Sequence, residues 1–97
     1  MKKAGKAKKQ VTVVGYGSQG RAIALNLRDS GYQVVIGLRL RSKSRAKAKR
    51  DKFSLIPTIS EAVRRSSVII MAIPDHEHGR VFERDIRESL SPGSTLV

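Results

Sequence analysis

The stretch Val11-Thr-Val-Val-Gly15-Tyr-Gly17-Ser-Gln-Gly20-Arg-Ala-Ile-Ala-Leu-Asn-Leu27 decides how this chain reads. Its first four residues are β-branched, a composition that suits a strand. A G-x-G-x-x-G turn follows, and then an amphipathic helical segment. Strand, glycine turn and helix in that order are the fingerprint of a dinucleotide-binding βαβ unit. Gly15 is expected to make the tight turn off the strand. Gly17 would let the backbone come up against a pyrophosphate, and Gly20 would bring the helix close to the sheet, with Ala22 and Ala24 extending that small surface. The amides around Ser18, Gln19 and Gly20, at the positive end of the helix dipole, would then meet the phosphates. Glycine-rich turns are common, and a plain turn between strand and helix is the competing reading.

The second strand tells which dinucleotide. An acidic residue about 20 positions beyond the glycines normally holds the ribose 2′-hydroxyl of NAD. Here residues 33–37 form the strand, and Leu38-Arg39-Leu-Arg41-Ser42-Lys43-Ser44-Arg45 follows with no acid among them. Guanidinium and hydroxyl groups stand where a 2′-phosphate would lie, and arginine binds phosphate through paired charge-assisted hydrogen bonds. The pattern points to NADP(H), against a solvated basic loop as the alternative.

Outward from these motifs, strands and helices alternate. A helix is expected over residues 18–30, stopped by Gly31 in the left-handed region. A short helix is expected over 43–51, a third strand over 53–56 closed by Pro57, and a helix from Thr58 to about Arg65. Thr58 and Glu61 have the spacing of a reciprocal capping box. The apolar run 67–73 reads as a strand buried on both faces. Residues 77–90 read as a helix with Val81, Phe82, Ile86 and Leu90 inward, and 94–97 as the start of a fifth strand. The fold class is therefore α/β, a Rossmann-type doubly wound parallel sheet with its ligand edge at the carboxyl ends of the strands. The sequence stops in what reads as mid-strand, so the domain, residues 11–97, is expected to be incomplete, with an open edge that favours self-association.

Charge and composition narrow the class further. The 97 residues carry a formal +12, in two blocks. One is the N-terminal tail, residues 1–10, with Lys2, Lys3, Lys6, Lys8 and Lys9; its Lys/Ala composition is that of a disordered segment. The other runs from Arg39 to Lys52. Such blocks invite a nucleic-acid reading, but the second has Phe53 as its one nearby aromatic and offers no stacking platform. There is no cysteine, so disulfides and thiol catalysis are excluded. No segment is apolar and long enough to span a membrane, and a cytoplasmic protein is the expectation.

Over residues 11–97 the sequence resembles the N-terminal domain of class I ketol-acid reductoisomerase. The resemblance rests on Gly15-Tyr-Gly-Ser-Gln-Gly20, Ala24-Leu-Asn-Leu-Arg-Asp-Ser-Gly31, and Gly37-Leu-Arg39 with Ser42, Ser44 and Lys47-Ala48. Pro74-Asp75, Arg84-Asp-Ile86 and Leu90-Ser-Pro-Gly93 complete it. It implies that Tyr16, Gly17, Ser18 and Gln19 wrap the cofactor, that Arg39, Ser42 and Ser44 hold the 2′-phosphate of NADPH, and that Asp75, His76, Glu77 and His78 line the cofactor after the fourth strand. It also implies a role in branched-chain amino-acid biosynthesis: a magnesium-dependent alkyl shift of an acetohydroxy acid, then hydride transfer from NADPH. The residues expected to bind magnesium and to catalyse are not in this sequence, so no catalytic or metal residue is assigned and the chain alone is expected to be inactive.

The departures are local. Arg41 stands where the family has a small residue, Arg45 where Trp is common, and Arg21 where His is frequent. Arg41 and Arg45 are expected to add positive charge beside the 2′-phosphate, with Arg41 an auxiliary ligand. His76 and His78, two apart, lack the i, i+4 spacing of a helical zinc site. Another NADP-dependent reductase, such as a β-hydroxyacid or imine reductase, and a small nucleotide- or nucleic-acid-binding module remain the alternatives.

Overall fold

Four parallel strands form the sheet of the computed structural model, which describes residues 9–90 and 93–97. They are β1 (Gln10–Val14), β2 (Gln33–Gly37), β3 (Val68–Met71) and β4 (Thr95–Leu96), in the spatial order β2–β1–β3–β4. Val11 sits opposite Val34 on one side and Val68 on the other, and Val14 opposite Gly37 and Met71. The helices are α1 (Ser18–Asp29), α2 (Ser44–Arg50), α3 (Ile59–Arg65) and α4 (Asp75–Val81).

Side-chain alternation along the strands fixes which face each helix covers. Val13, Val34 and Ile36 point to one face and pack with Ala24 of α1, Ala48 of α2, Phe53 and Leu38. Val14 and Ile69 point to the other, against Ile59 and Val63 of α3 and against Val81 and Ile86. Each fully buried Val or Ile contributes about 1.5–3 kcal/mol to stability. Helices on both faces of a parallel sheet are the doubly wound arrangement expected from the alternating pattern.

Caps stop the helices where the sequence indicates. Gly31, at φ +97°, closes α1: its N–H donates to Arg28 O and that of Tyr32 to Leu27 O. Thr58 Oγ1 accepts from Glu61 N at 3.4 Å at the start of α3. The reciprocal half of that capping box differs from expectation, because the Glu61 carboxylate pairs with Arg64 at 3.4 Å.

Three further expectations change in detail. Residues 53–56 are not a strand, and the sheet has four strands where five were expected. That segment still runs beside β2, with Leu55 O and Pro57 O accepting from Ile36 N and Leu38 N. The pairing is one-sided, which leaves it an edge strap. The helix expected over 77–90 begins earlier, at Asp75, and continues past Val81 as a π-helical turn (Phe82–Ile86) and a 3₁₀ turn (Arg87–Ser89). This winding keeps Val81 and Ile86 buried, with Phe82 and Leu90 packed against them. Finally, only Ile69 of β3 is fully buried; Val68 and Ile70, on the face that α1 covers for β1 and β2, are half-buried. The expectations for residues 1–8 lie outside the described residues.

Candidate cofactor site

The chain leaves β1 and passes through α1 to β2 on one side, then returns through α2 and α3 to β3 on the other side of β1. The strand order therefore reverses between β1 and β3, and open α/β sheets bind ligands at such a point, beyond the carboxyl ends of the strands. A cleft of about 350 Å³ lies there. The turn after β1 supplies Gly15 and Tyr16, and the loop after β2 supplies Leu38, Arg39, Arg41, Ser42 and Ser44. Ile73, Glu77 and Val81 come from the segment after β3.

Gly15 has φ +102°, and a Cβ there would stand 2.7 Å from Ile73 Cγ2 and 2.8 Å from Ala72 O. No other residue fits this turn. At Gly20 the constraint is close approach: a Cβ would stand 2.6 Å from Gly15 O and 3.3 Å from Ala72 Cβ. This is the tight helix-to-turn packing expected from the motif. Gly17 differs from both. It lies at an ordinary φ of −73° with nothing within 4 Å of the Cβ position, so the space over it is open. Ser18 and Gln19, exposed beside it, begin α1.

The loop after β2 is a built turn. Ser42 N donates to Arg39 O at 3.0 Å, and Ser42 Oγ accepts from Ser44 N at 3.2 Å. Arg39, Arg41, Ser42 and Ser44 are thereby gathered on one rim of the cleft. The guanidinium groups of Arg39 and Arg41 make no hydrogen bond or ion pair among the described residues and are exposed to solvent. Two unpaired cations and two hydroxyls suit a dianionic group.

Several residues named from the sequence are placed differently. Tyr16 lines the cleft near its backbone, but its ring turns inward, 2% exposed, edge-on to Phe53 at 5.8 Å between centroids. Its hydroxyl donates to Asp51 Oδ2 at 2.5 Å, and Arg21 Nε donates to the same oxygen at 2.7 Å. Hydrogen bonds from Arg21 and then Tyr16 hold the Asp51 carboxyl down at about 2. Burial, and then the Asp51 hydrogen bond, push the Tyr16 hydroxyl up to about 12. Tyr16, Arg21 and Asp51 thus brace the glycine turn against the end of α2. Arg45, expected to add charge beside the phosphate, has its guanidinium bonded to backbone carbonyls, two of them, Leu38 O and Arg39 O, in the same loop.

His78 is not among the residues lining the cleft, its Nε2 lying within 2.8 Å of Ile73 O, while Glu77 lines it. The side chains of Asp75 and His76 lie outside the described part of the structure. Gly37, Ile59, Ile73 and Val81 also line the site. The sequence marks them as core or strand-end residues, and their periodicity holds no signal of a ligand.

A parallel sheet with a glycine turn at its switch point and a basic, hydroxyl-rich loop after the second strand defines a dinucleotide-binding domain. Comparison with known proteins narrows this. Residues 6–97 match the family described as acetohydroxy acid isomeroreductase, NADPH-binding domain. The chain belongs to this family of NADPH-binding domains. It is 48% identical over 90 residues to a ketol-acid reductoisomerase (NADP(+)) of Beutenbergia cavernae, covering 93% of this chain and 26% of that protein. Against the enzyme of the same name from Petrotoga mobilis it is 47% identical over 88 residues, or 91% and 26% of the two chains. Among solved structures, an NADH-preferring ketol-acid reductoisomerase from an uncultured archean superposes with a TM-score of 0.84 at 35% identity, covering 91% of this chain and 28% of that one. An imine reductase variant from Myxococcus stipitatus, in complex with NAD+, superposes at 0.71 and 27% identity, covering 93% and 30%. The chain thus spans about a quarter of the length of the curated relatives it matches. Among the described residues, no helix is long and apolar enough to cross a membrane.

Proposed function

We propose that this chain binds NADPH across the cleft between β1 and β3, as the cofactor domain of a ketol-acid reductoisomerase. The observation that carries the reading is the loop after β2. It offers the guanidinium groups of Arg39 and Arg41, which have no hydrogen-bond or ion-pair partner among the described residues, together with Ser42 and Ser44, on one rim of the cleft that Gly15 opens. The residues fit the group. The pyrophosphate would pass over the open space at Gly17 against the amides of Ser18, Gln19 and Gly20, at the positive end of a 12-residue helix. Arg39 would take the 2′-phosphate, with Ser42 and Ser44 donating to its oxygens and Arg41 adding charge from the rim.

When bound, NADPH supplies a hydride. This chain's residues bind and orient the cofactor: Ile59, Ile73 and Val81 give the cleft an apolar wall, and Glu77 lies with them. Conversion of an acetohydroxy acid substrate, with the magnesium that the resemblance implies, would need the parts of the longer relatives that lie outside this stretch. For this chain we propose cofactor binding as the contribution to that reaction, in branched-chain amino-acid synthesis.

Calorimetric titration of the chain with NADPH and with NADH tests the reading. The expected result is a clear preference for NADPH that falls about tenfold in Arg39→Ala, as for one charge-assisted hydrogen bond lost. Equal or absent binding of both dinucleotides would refute it.

A further inference from the structure

Arg45 directly follows Ser44, the last residue of the phosphate loop, and its guanidinium is almost fully engaged. Nε donates to Arg39 O at 2.8 Å, Nη1 to Ile56 O at 2.7 Å, and Nη2 to Leu38 O at 2.8 Å and Pro57 O at 3.4 Å. These carbonyls belong to two stretches of chain. Leu38 and Arg39 leave β2, and Ile56 and Pro57 end the strap beside it. The strap is otherwise joined there by two backbone bonds, Ile36 N to Leu55 O and Leu38 N to Pro57 O. Among the described residues, no backbone hydrogen bond joins Arg39 itself, or the loop beyond it, to the strap.

We infer that Arg45 is a positioning residue for dinucleotide specificity: its guanidinium clamps the loop after β2 to the 55–57 strap and so presets Arg39, Ser42 and Ser44 for a 2′-phosphate. The inference rests on the NADPH reading above. Two physical consequences follow from the geometry. First, a planar fork with four bonds already made has little left to offer a ligand, so Arg45 acts through Arg39 and the loop. Second, four carbonyl oxygens converging near a phosphate site would present it with negative partial charge. A guanidinium among them offsets that field, and a neutral side chain would leave it exposed. Lysine cannot substitute, because a single ammonium lacks the planar fork that reaches all four oxygens.

The experiment is calorimetric titration of the intact chain, Arg45→Met and Arg45→Lys with NADPH and NADH. Circular dichroism melts run beside them. Both variants are expected to weaken NADPH about tenfold while leaving NADH unchanged, as for loss of one well-placed charge-assisted bond. Equal weakening of both dinucleotides would make Arg45 merely structural and overturn the inference. So would an Arg45→Lys variant with full NADPH preference, since charge alone would then suffice. Failure of the NADPH reading itself shows separately, as a lack of preference in the unsubstituted chain.

A second measurement needs no variant, should these not fold. Side-chain NMR of the arginine Nε–H groups is expected to show Arg39 shifting on NADPH addition and Arg45 staying in place. A shift at Arg45 as large as at Arg39 would make it a ligand and overturn its role as a clamp.

Discussion

Gly15 and Gly17 are two residues apart in one motif, yet they are glycine for different reasons. At Gly15 the backbone is left-handed and a methyl would meet Ile73 and the Ala72 carbonyl. Gly15→Ala is therefore expected to destabilise the fold by about 2–5 kcal/mol, the combined cost of backbone strain and overpacking. At Gly17 the conformation is ordinary and the space is open. Gly17→Ala is expected to change stability by less than about 1 kcal/mol, while NADPH affinity falls because the methyl enters the pyrophosphate path. Urea unfolding and NADPH titration of the two variants separate these effects; equal losses of stability would contradict the account. Asp51 makes a prediction about acid. Its carboxyl is held at about 2, from an ordinary 3.8, by Arg21 and Tyr16. A depressed folded value means that the stabilisation is complete above the ordinary value and is lost as pH falls from there through about 2. The stability difference between the chain and Asp51→Asn should accordingly shrink over that window. A difference that stays constant would show that the carboxylate is not held as described.

At the scale of elements, the join between β1 and α3 depends on a buried hydroxyl. Thr12 Oγ1 lies 2.8 Å from both Ala62 O and Ser66 Oγ. With one proton to give, it donates to the carbonyl and accepts from Ser66. Thr12→Val keeps the shape and the β-branching, but strands both partners in a buried place. A loss of about 1–3 kcal/mol is expected, read as a lower urea midpoint with an unchanged denaturant slope. A neutral result would mean that packing alone joins the two elements. The same scale shows why some elements resist sequence reading. Residues 53–57 have a strand's apolar content, but they only accept bonds from β2, so no full ladder forms. After Val81, tertiary packing widens the helix to keep Ile86 in the core; the apolar stripe was readable there, and the change of winding was not.

Over the whole molecule, the parallel sheet, the helix order and the place of the glycine turn were legible because they rest on local patterns: β-branched runs, a glycine motif and capping residues. The lining of the cleft was legible where its residues lie close in sequence, at Gly15 and Tyr16 and at Arg39, Arg41, Ser42 and Ser44. What escaped were interactions across the chain. Arg45 finds its acceptors at Ile56 and Pro57, and Tyr16 finds Asp51 thirty-five positions away. No local composition encodes such pairs, and from its charge Arg45 read only as an added cation beside the 2′-phosphate. The two basic blocks likewise dominate the net charge of +12, and only geometry separates cations that face the cleft from those that face solvent.

The central claim is that one cleft, at the carboxyl edge between β1 and β3, receives NADPH with its 2′-phosphate on the loop after β2. Backbone amide NMR of the chain titrated with NADPH, and then with NADH, tests this most directly. The account predicts that NADPH shifts the amides of Gly15 to Gly20 together with those of Arg39 to Ser44, and that NADH shifts the first group while leaving the second nearly unmoved. Shifts confined to the exposed lysines and arginines of α2, or identical at both groups for the two dinucleotides, would contradict it.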